Sequence, residues 1–250
     1  MKKVVWAAGF GGLMLVLAGC SPVYYVPNAH NVPMLQGKGD GTFGVHAASF
    51  GGEVQGAFAI AEHIGVMVNV AAMKQQDDGD GDGGSGGLFE VGVGYHRNLG
   101  SKLVWENYLL LGGGNVENHF PSTVAQFPGT TGKLEAKFTR YGVQPSIAQH
   151  SRFFDSAFSV RLLGLQYRDV SGNLTYAGVD QVAYLNSLGS QFLIEPAFTF
   201  KAGWDPIKLQ LQLGFSQNMT TGSFRQREAW MALGLVYDLR RDRSGGVKVN

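Results

Sequence analysis

The sequence predicts an all-β fold, an antiparallel up-and-down transmembrane β-barrel of about ten strands with an N-terminal lipid-anchored tether. Three observations predict it. Apolar and polar residues alternate with a period of two from Thr42 onward. The alternating segments have about the 9 to 11 residues with which a tilted strand crosses a bilayer. Short and long connections also alternate along the chain, as they do when turns gather at one end of a membrane barrel and loops at the other.

The alternation is clearest over residues 207–216. Ile207, Leu209, Leu211, Leu213 and Phe215 alternate there with polar or small residues, so one face of the strand is apolar and the other polar. The period alone does not say which face lies inside, because a soluble lipocalin-like barrel alternates in the same way with its apolar face inward. The polar face here is rich in Gly, Ala, Ser, Gln and Asn and poor in the Lys and Glu of a solvated exterior, which favours the membrane barrel.

Ten segments show this pattern, an even number as expected when both ends of a barrel lie on one side of the membrane. They are residues 42–50, 53–61, 64–75, 88–98, 101–112, 134–148, 154–167, 190–201, 207–217 and 228–239.

The connections assign the two ends of the barrel. After a first hairpin at Gly51-Gly52, short turns at 62–63, 98–102, 149–153 and 202–206 alternate with longer connections at 76–87, 113–133, 168–189 and 218–227. Membrane barrels of this kind have short periplasmic turns and longer external loops. We therefore expect the longer connections to face outward.

The N-terminus reads as a secretory signal. Lys2 and Lys3 precede an uncharged apolar run, residues 4–18, that is shorter than a bilayer-spanning helix of about 20 residues. Ala18 and Gly19 ahead of Cys20 resemble the bacterial lipobox, whose cysteine receives a diacylglyceryl group and becomes the new N-terminus. The expected division is a cleaved signal peptide at 1–19, a lipidated tether at 20–39 and a barrel domain at 40–250. The alternative is an ordinary secreted protein with a chance cysteine at its cleavage site.

Residues 24–33 of the tether read Tyr-Tyr-Val-Pro-Asn-Ala-His-Asn-Val-Pro. Directly after a lipobox, this run resembles the opening of a group of outer-membrane β-barrel lipoproteins known from Bacteroidetes. The resemblance implies a bacterial outer-membrane location, and with it outer-membrane lipids and the barrel-assembly and lipoprotein-sorting machinery as partners, but no activity. Surface-exported lipoproteins of those bacteria usually have acids soon after the cysteine, whereas Ser21 is followed here by Pro22 and Val23. The anchor is therefore expected on the periplasmic side.

Composition excludes several functions. The net charge is +1 and charged residues make up only 16%, so no basic stripe is available to hold the phosphates of a nucleic acid. Cys20 is the single cysteine. Once it carries lipid, no thiol remains for a disulfide or a catalytic thiolate, and no cofactor is expected.

An acidic loop offers a weak metal site. Asp78, Asp80 and Asp82 stand at alternate positions among glycines, a spacing with which an EF-hand loop presents oxygens to Ca²⁺. The bidentate glutamate expected at the twelfth position is replaced by Phe89 when the count starts at Asp78. A solvated acidic loop is the favoured interpretation.

Several polar residues fall inside the predicted strands. They are Glu106, Arg140, Gln144, Arg161, Glu195, Lys208, Gln210 and Gln212. If they point into the lumen, the charged ones are expected to pair there. Ten strands enclose a lumen only slightly wider than one that side chains fill, so a plugged interior is expected in preference to a polar pathway.

No catalytic motif is recognisable. The histidines are scattered singly, Ser122 near His119 has no motif around it, and the H-E-x-x-H spacing is absent. The sequence therefore predicts a non-catalytic barrel with a structural or surface-interaction role. A narrow passive pore, a lipid-modifying outer-membrane enzyme and a periplasmic lipocalin-like carrier remain alternatives.

Overall fold

The computed structural model describes residues 21–74, 82–121, 128–151, 153–220, 222 and 224–240. Within these ranges the chain is mostly strand, with one short helix. The elements in chain order are β1 Gly41–Ala48, β2 Gly51–Ala59, β3 Ile64–Lys74, β4 Gly83–Leu99, β5 Leu103–Phe120, β6 Gly132–Gln149, β7 Phe154–Gly172, β8 Thr175–Tyr176, β9 Val179–Asp180, α1 Gln181–Ser187, β10 Gln191–Trp204, β11 Ile207–Phe215, β12 Gln217–Asn218 and β13 Ala229–Leu239.

The ten long strands of the described chain form a closed antiparallel barrel. Strands β1 to β7 pair in sequence order, β7 pairs with β10, and β10 pairs with β11. The last strand, β13, lies between β11 and β1, where Leu239 is opposite Gly41. The prediction of an up-and-down barrel of about ten strands is confirmed. The two-residue strands are additions to this wall: β8 pairs with β9 and is bridged through Thr175 to Thr131 beside β6, and β12 pairs with the first residues of β10.

The first hairpin turns two residues earlier than predicted, at Ser49 and Phe50, and Gly51 belongs to β2. Gly51 lies where β2 comes close to β3 and is not part of the turn. Its φ is +149°, and a Cβ at this position would lie 2.0 Å from the carbonyl oxygen of Ala72. Only glycine fits such a contact, so Gly51 marks a close approach of two neighbouring strands, and the turn was wrongly predicted to lie at Gly51-Gly52.

Strands β4 to β7 continue beyond their predicted ends and reach 17 to 19 residues. All four extend at the end of the barrel that carries the longer connections, here called the loop end. The outward face of the extension is charged, with Lys133 paired to Glu117 at 3.1 Å and Lys137 paired to Asp169 at 3.1 Å. The period of two continues here with the opposite polarity, since Leu134, Ala136 and Phe138 face inward and the charged residues between them face outward. The stretch 113–133 was therefore wrongly predicted to be entirely loop.

The two faces of the wall differ in polarity. Leu109 and Leu235 on the outer face are 60% and 59% exposed, while Glu90 and Arg140 on the inner face are fully buried. Aromatic pairs lie near the opposite end of the barrel, here called the turn end. Tyr95 contacts Trp105 there, with ring centroids 6.0 Å apart. The inner face carries buried charges and, toward the loop end, an apolar cluster. An apolar outer belt with aromatics near its edge is typical of a membrane barrel, whereas the outer face of a lipocalin is polar.

A substitution on the outer face tests whether hydrocarbon surrounds the barrel. Leu211 lies at the middle of β11 and is outward-facing. In a bilayer, Leu211→Arg is expected to lower the free energy of unfolding by about 2 to 4 kcal/mol, while Leu239→Arg at the turn end is expected to cost about 0 to 1 kcal/mol. Urea unfolding in lipid vesicles measures both. Equal, negligible effects would mean that water, not hydrocarbon, surrounds the barrel.

Candidate functional site

The tether runs through the lumen along the whole barrel. At the loop end, the N–H of Tyr24 donates to the carbonyl of Arg225 at 2.9 Å, and the N–H of Arg227 donates to the carbonyl of Tyr25 at 3.0 Å. At the turn end, Asn98 donates to the carbonyl of Gln36 at 2.8 Å. Every residue from Val23 to Leu35 is buried. The candidate site is therefore the tether together with the wall that surrounds it.

Two amide side chains hold the tether as a neighbouring strand would. Asn118 accepts from the N–H of Val23 at 2.9 Å and donates to its carbonyl at 3.0 Å. Gln212 accepts from the N–H of His30 at 2.6 Å and donates to its carbonyl at 3.0 Å. An amide carries both a donor and an acceptor, so each side chain satisfies both backbone groups of one residue.

Other wall side chains complete the pairing of the tether backbone. Glu106 accepts from the N–H groups of Met34 at 3.2 Å and Leu35 at 3.0 Å, and Glu53 accepts from Ala29 at 2.9 Å. Carbonyl oxygens of the tether accept from Gln55 (at Ala29), Gln144 (at Asn31), Lys201 (at Val32) and Arg240 (at Met34). The tether has no strand neighbour over these residues, and the wall supplies partners in place of one.

A buried charged network surrounds Asn28 at mid-tether. Arg140 pairs with Glu90 at 2.7 Å, and Arg161 lies 3.5 Å from Glu195, all four side chains being fully buried. Both guanidinium groups also donate to Oδ1 of Asn28, at 2.7 and 2.9 Å. The tether thus provides a neutral acceptor between two wall cations, each of which has its own carboxylate.

Apolar contacts fix the tether at the loop end. Tyr24 and Tyr25 pack within a buried cluster with residues from β4 to β7, α1 and the connections. The Tyr24 hydroxyl donates to Oε1 of Gln181 at 2.6 Å. Burial raises the pKa of this hydroxyl above its usual value, so Tyr24 stays a neutral donor.

The connection between β7 and β10 forms a folded cap over the tether. Asp180 starts α1 by accepting from the N–H groups of Val182 and Ala183, a standard N-cap arrangement. Leu185 of α1 and Leu174 join the buried cluster beneath. Arg225 stacks on the ring of Tyr176 at 3.7 Å. The described residues of this connection are therefore packed against the tether and the wall.

The polar strand residues singled out from the sequence all point into the lumen. The fully or nearly fully buried set is Glu106, Arg140, Gln144, Arg161, Glu195, Lys208, Gln210 and Gln212. Most of them touch the tether or its network, whereas Lys208 pairs with Asp155 at 2.7 Å near the turn end. The sequence missed Asn118, which lies in a stretch predicted to be loop, and the role of Glu53. Their only signal is a polar residue at an inward position of a strand.

One histidine does meet a carboxylate next to a serine. Nδ1 of His150 lies 2.9 Å from Asp155. However, the hydroxyl of neighbouring Ser151 donates to the carbonyl of Phe154 and accepts from the Phe154 N–H at 3.1 Å. The serine proton is engaged by the backbone, so this cluster shapes the turn between β6 and β7 and does not have the geometry of an activated nucleophile. Ser122 lies outside the described residues.

The acidic loop gives no metal centre that can be described. Asp78 and Asp80 lie outside the described residues, and Asp82 is buried beside the start of β4. Across the described ranges, no three His, Cys, Asp or Glu side chains come together as metal ligands. The calcium prediction stays a prediction. Cys20 and the signal peptide also lie outside the described residues.

No family model matches the sequence, and no curated protein is significantly similar to it. Within the described residues, no helix is both long and apolar enough to span a bilayer.

The lumenal ion pair can be tested by a double-mutant cycle. Arg140→Met is expected to lower the free energy of unfolding by about 3 to 5 kcal/mol because it leaves Glu90 buried without its cation. Adding Glu90→Met is expected to recover part of this loss. Urea unfolding in detergent micelles measures the cycle.

The exposed pair of Lys137 and Asp169 provides the control. Lys137→Met and Asp169→Asn, in which the asparagine tolerates the positive φ of 53° at that position, are expected to cost less than about 1 kcal/mol together. Strict additivity of Arg140→Met and Glu90→Met would show that the two side chains are not coupled.

Proposed function

We propose that this protein is a lipid-anchored outer-membrane β-barrel with a closed lumen, and that its role is structural or one of surface interaction, not catalysis. The observation that carries the proposal is the tether, which fills a polar lumen inside an apolar outer wall. The lipobox at Cys20 and the resemblance of residues 24–33 to Bacteroidetes barrel lipoproteins support the anchor and the location.

A conducting role is disfavoured by the packing around the tether. Two crevices beside it, one lined by Pro27 and Trp230 and the other by Tyr24 and Phe138, each hold about 10 Å³. A single water needs about that much space. An apolar-ligand carrier is disfavoured because the inner face presents charges and amides to a lumen that the tether already fills. A surface role is favoured by the packed cap at the loop end, which presents a fixed shape.

Heat-modifiable gel migration tests the barrel itself. The purified protein in detergent is expected to run as a compact band without boiling and at its full mass after boiling. The outer-membrane fraction is expected to contain it. A single band that does not respond to heat, together with recovery in the soluble fraction, would contradict the proposal.

Planar-bilayer recording tests the closed lumen. The wild-type barrel is expected to give no steady conductance steps. A variant lacking residues 23–35 is expected to conduct, because removing the tether leaves buried polar groups that water then solvates. Heat-modifiable migration of the variant establishes that it has folded. Steady steps from the wild type, or a folded deletion variant that stays silent, would show that the tether is not what closes the lumen.

A further inference from the structure

The direction of the tether fixes where the amino end of the mature chain emerges. The tether enters β1 at the turn end, where its last residues contact Asn98 and the N–H of Lys38 lies 3.4 Å from Glu62. It then runs backward in sequence through the lumen to Val23, which Asn118 holds near the loop-end limit of β5. Ser21 therefore lies at the loop end, together with the long connections.

We infer that the lipid on Cys20 anchors the protein to the outer leaflet of the outer membrane, on the cell-surface side. This inference rests on the proposed function, which supplies the lipid and the orientation of the barrel. The chemical partner is the acyl region of the surface leaflet. The sequence had predicted a periplasmic anchor, and that expectation is incompatible with the path of the tether when the long connections face outward.

Chain length excludes the opposite leaflet. Only three peptide units separate Cys20 from Val23, a reach of about 10 Å even when fully extended. The apolar band of a membrane barrel is about 25 Å tall. With Val23 held by two hydrogen bonds to Asn118, a group on Cys20 cannot pass back along the outside of the barrel to the interface at the turn end.

The tether itself is long enough for this path. From Val23 to Gln36 there are thirteen peptide units, which span at most about 45 Å, more than the apolar band. Its hydrogen bonds follow one another in chain order, with Asn118 at Val23, Gln212 at His30 and Glu106 at Leu35. The tether therefore passes once through the lumen, from the loop end to the turn end, without folding back.

Three matched serine-to-cysteine variants test the inference in intact cells, since the only native cysteine is the lipid-bearing Cys20. Ser21→Cys reports the amino end, Ser190→Cys reports the loop end, and Ser101→Cys reports the turn end. Ser190 and Ser101 are exposed, and Ser21 is partly exposed. A membrane-impermeant maleimide carrying polyethylene glycol is expected to shift Ser21→Cys and Ser190→Cys. It is expected to shift Ser101→Cys only after the outer membrane is permeabilised.

The labelling results distinguish a failure of the surface anchor from a failure of the proposed barrel orientation. If Ser190→Cys reacts in intact cells while Ser21→Cys reacts only after permeabilisation, the surface anchor is wrong and the membrane barrel stands. If Ser190→Cys and Ser101→Cys react alike in intact cells, the proposed orientation fails and the inference fails with it.

A further variant tests whether a failure of Ser21→Cys to react is caused by steric hindrance at this partly exposed position. An epitope of about ten residues is inserted between Ser21 and Pro22, where the inference expects free space at the cell surface. Antibody binding to intact cells is the expected result. Binding only after permeabilisation overturns the inference, and heat-modifiable migration checks that the variant has folded.

Discussion

The structure depends on one constraint, that an extended backbone inside a closed barrel must find partners for its N–H and C=O groups without a neighbouring strand. A buried group left unpaired costs about 1 to 3 kcal/mol, so a tether with many such groups unpaired would not stay inside. Asn118 and Gln212 meet the constraint by imitating a strand edge, and Glu106 takes two consecutive N–H groups. The inward polar residues of the wall are therefore matched to one path of the tether, and each part stabilises the other.

The distribution of charge follows from the same arrangement. Residues 21–37 contain no Asp, Glu, Lys or Arg, whereas the wall carries buried ions of both signs. Arg161 lies opposite Glu195 on the adjacent strand, and Arg140 reaches Glu90 past Gly112 of the strand between them. Toward the tether, both guanidinium groups donate only to neutral oxygens, including the shared Oδ1 of Asn28. An ion on the tether would need its own desolvated partner, while an amide is satisfied by ordinary hydrogen bonds. These two cations are thus matched by carboxylates of the wall, and the tether contributes shape and neutral polar groups.

The sequence predicted the wall better than its contents, for a physical reason. Alternation in segments such as 207–216 indicates a strand whose two faces differ in polarity. Where the outer face is apolar, this pattern predicted the ends of the ten strands to within a few residues. It failed at 113–133, where β5 and β6 continue with charged outer faces. It also failed at Gly51, where glycine permits a close contact and not a turn. The tether has no period, because each of its residues meets a different wall side chain. The pairing of His30 with Gln212 joins positions 182 residues apart and could not be derived from local pattern.

The threaded path also restricts the order in which the barrel can form. The wall is a closed ring, and Leu174 and Leu185 of the cap pack with Tyr24 and Tyr25 over its loop end. An amino end that carries lipid, as we propose, would have to pass beneath this packed cap to be drawn through the finished lumen. The strand that follows the tether, β1, pairs with the last strand, β13, to close one seam of the ring. The C-terminal strand reaches this seam only after all the others exist. The wall must consequently close around a tether that is already in place, and the inward side chains that pair with the tether are the groups that hold it there until the seam is complete.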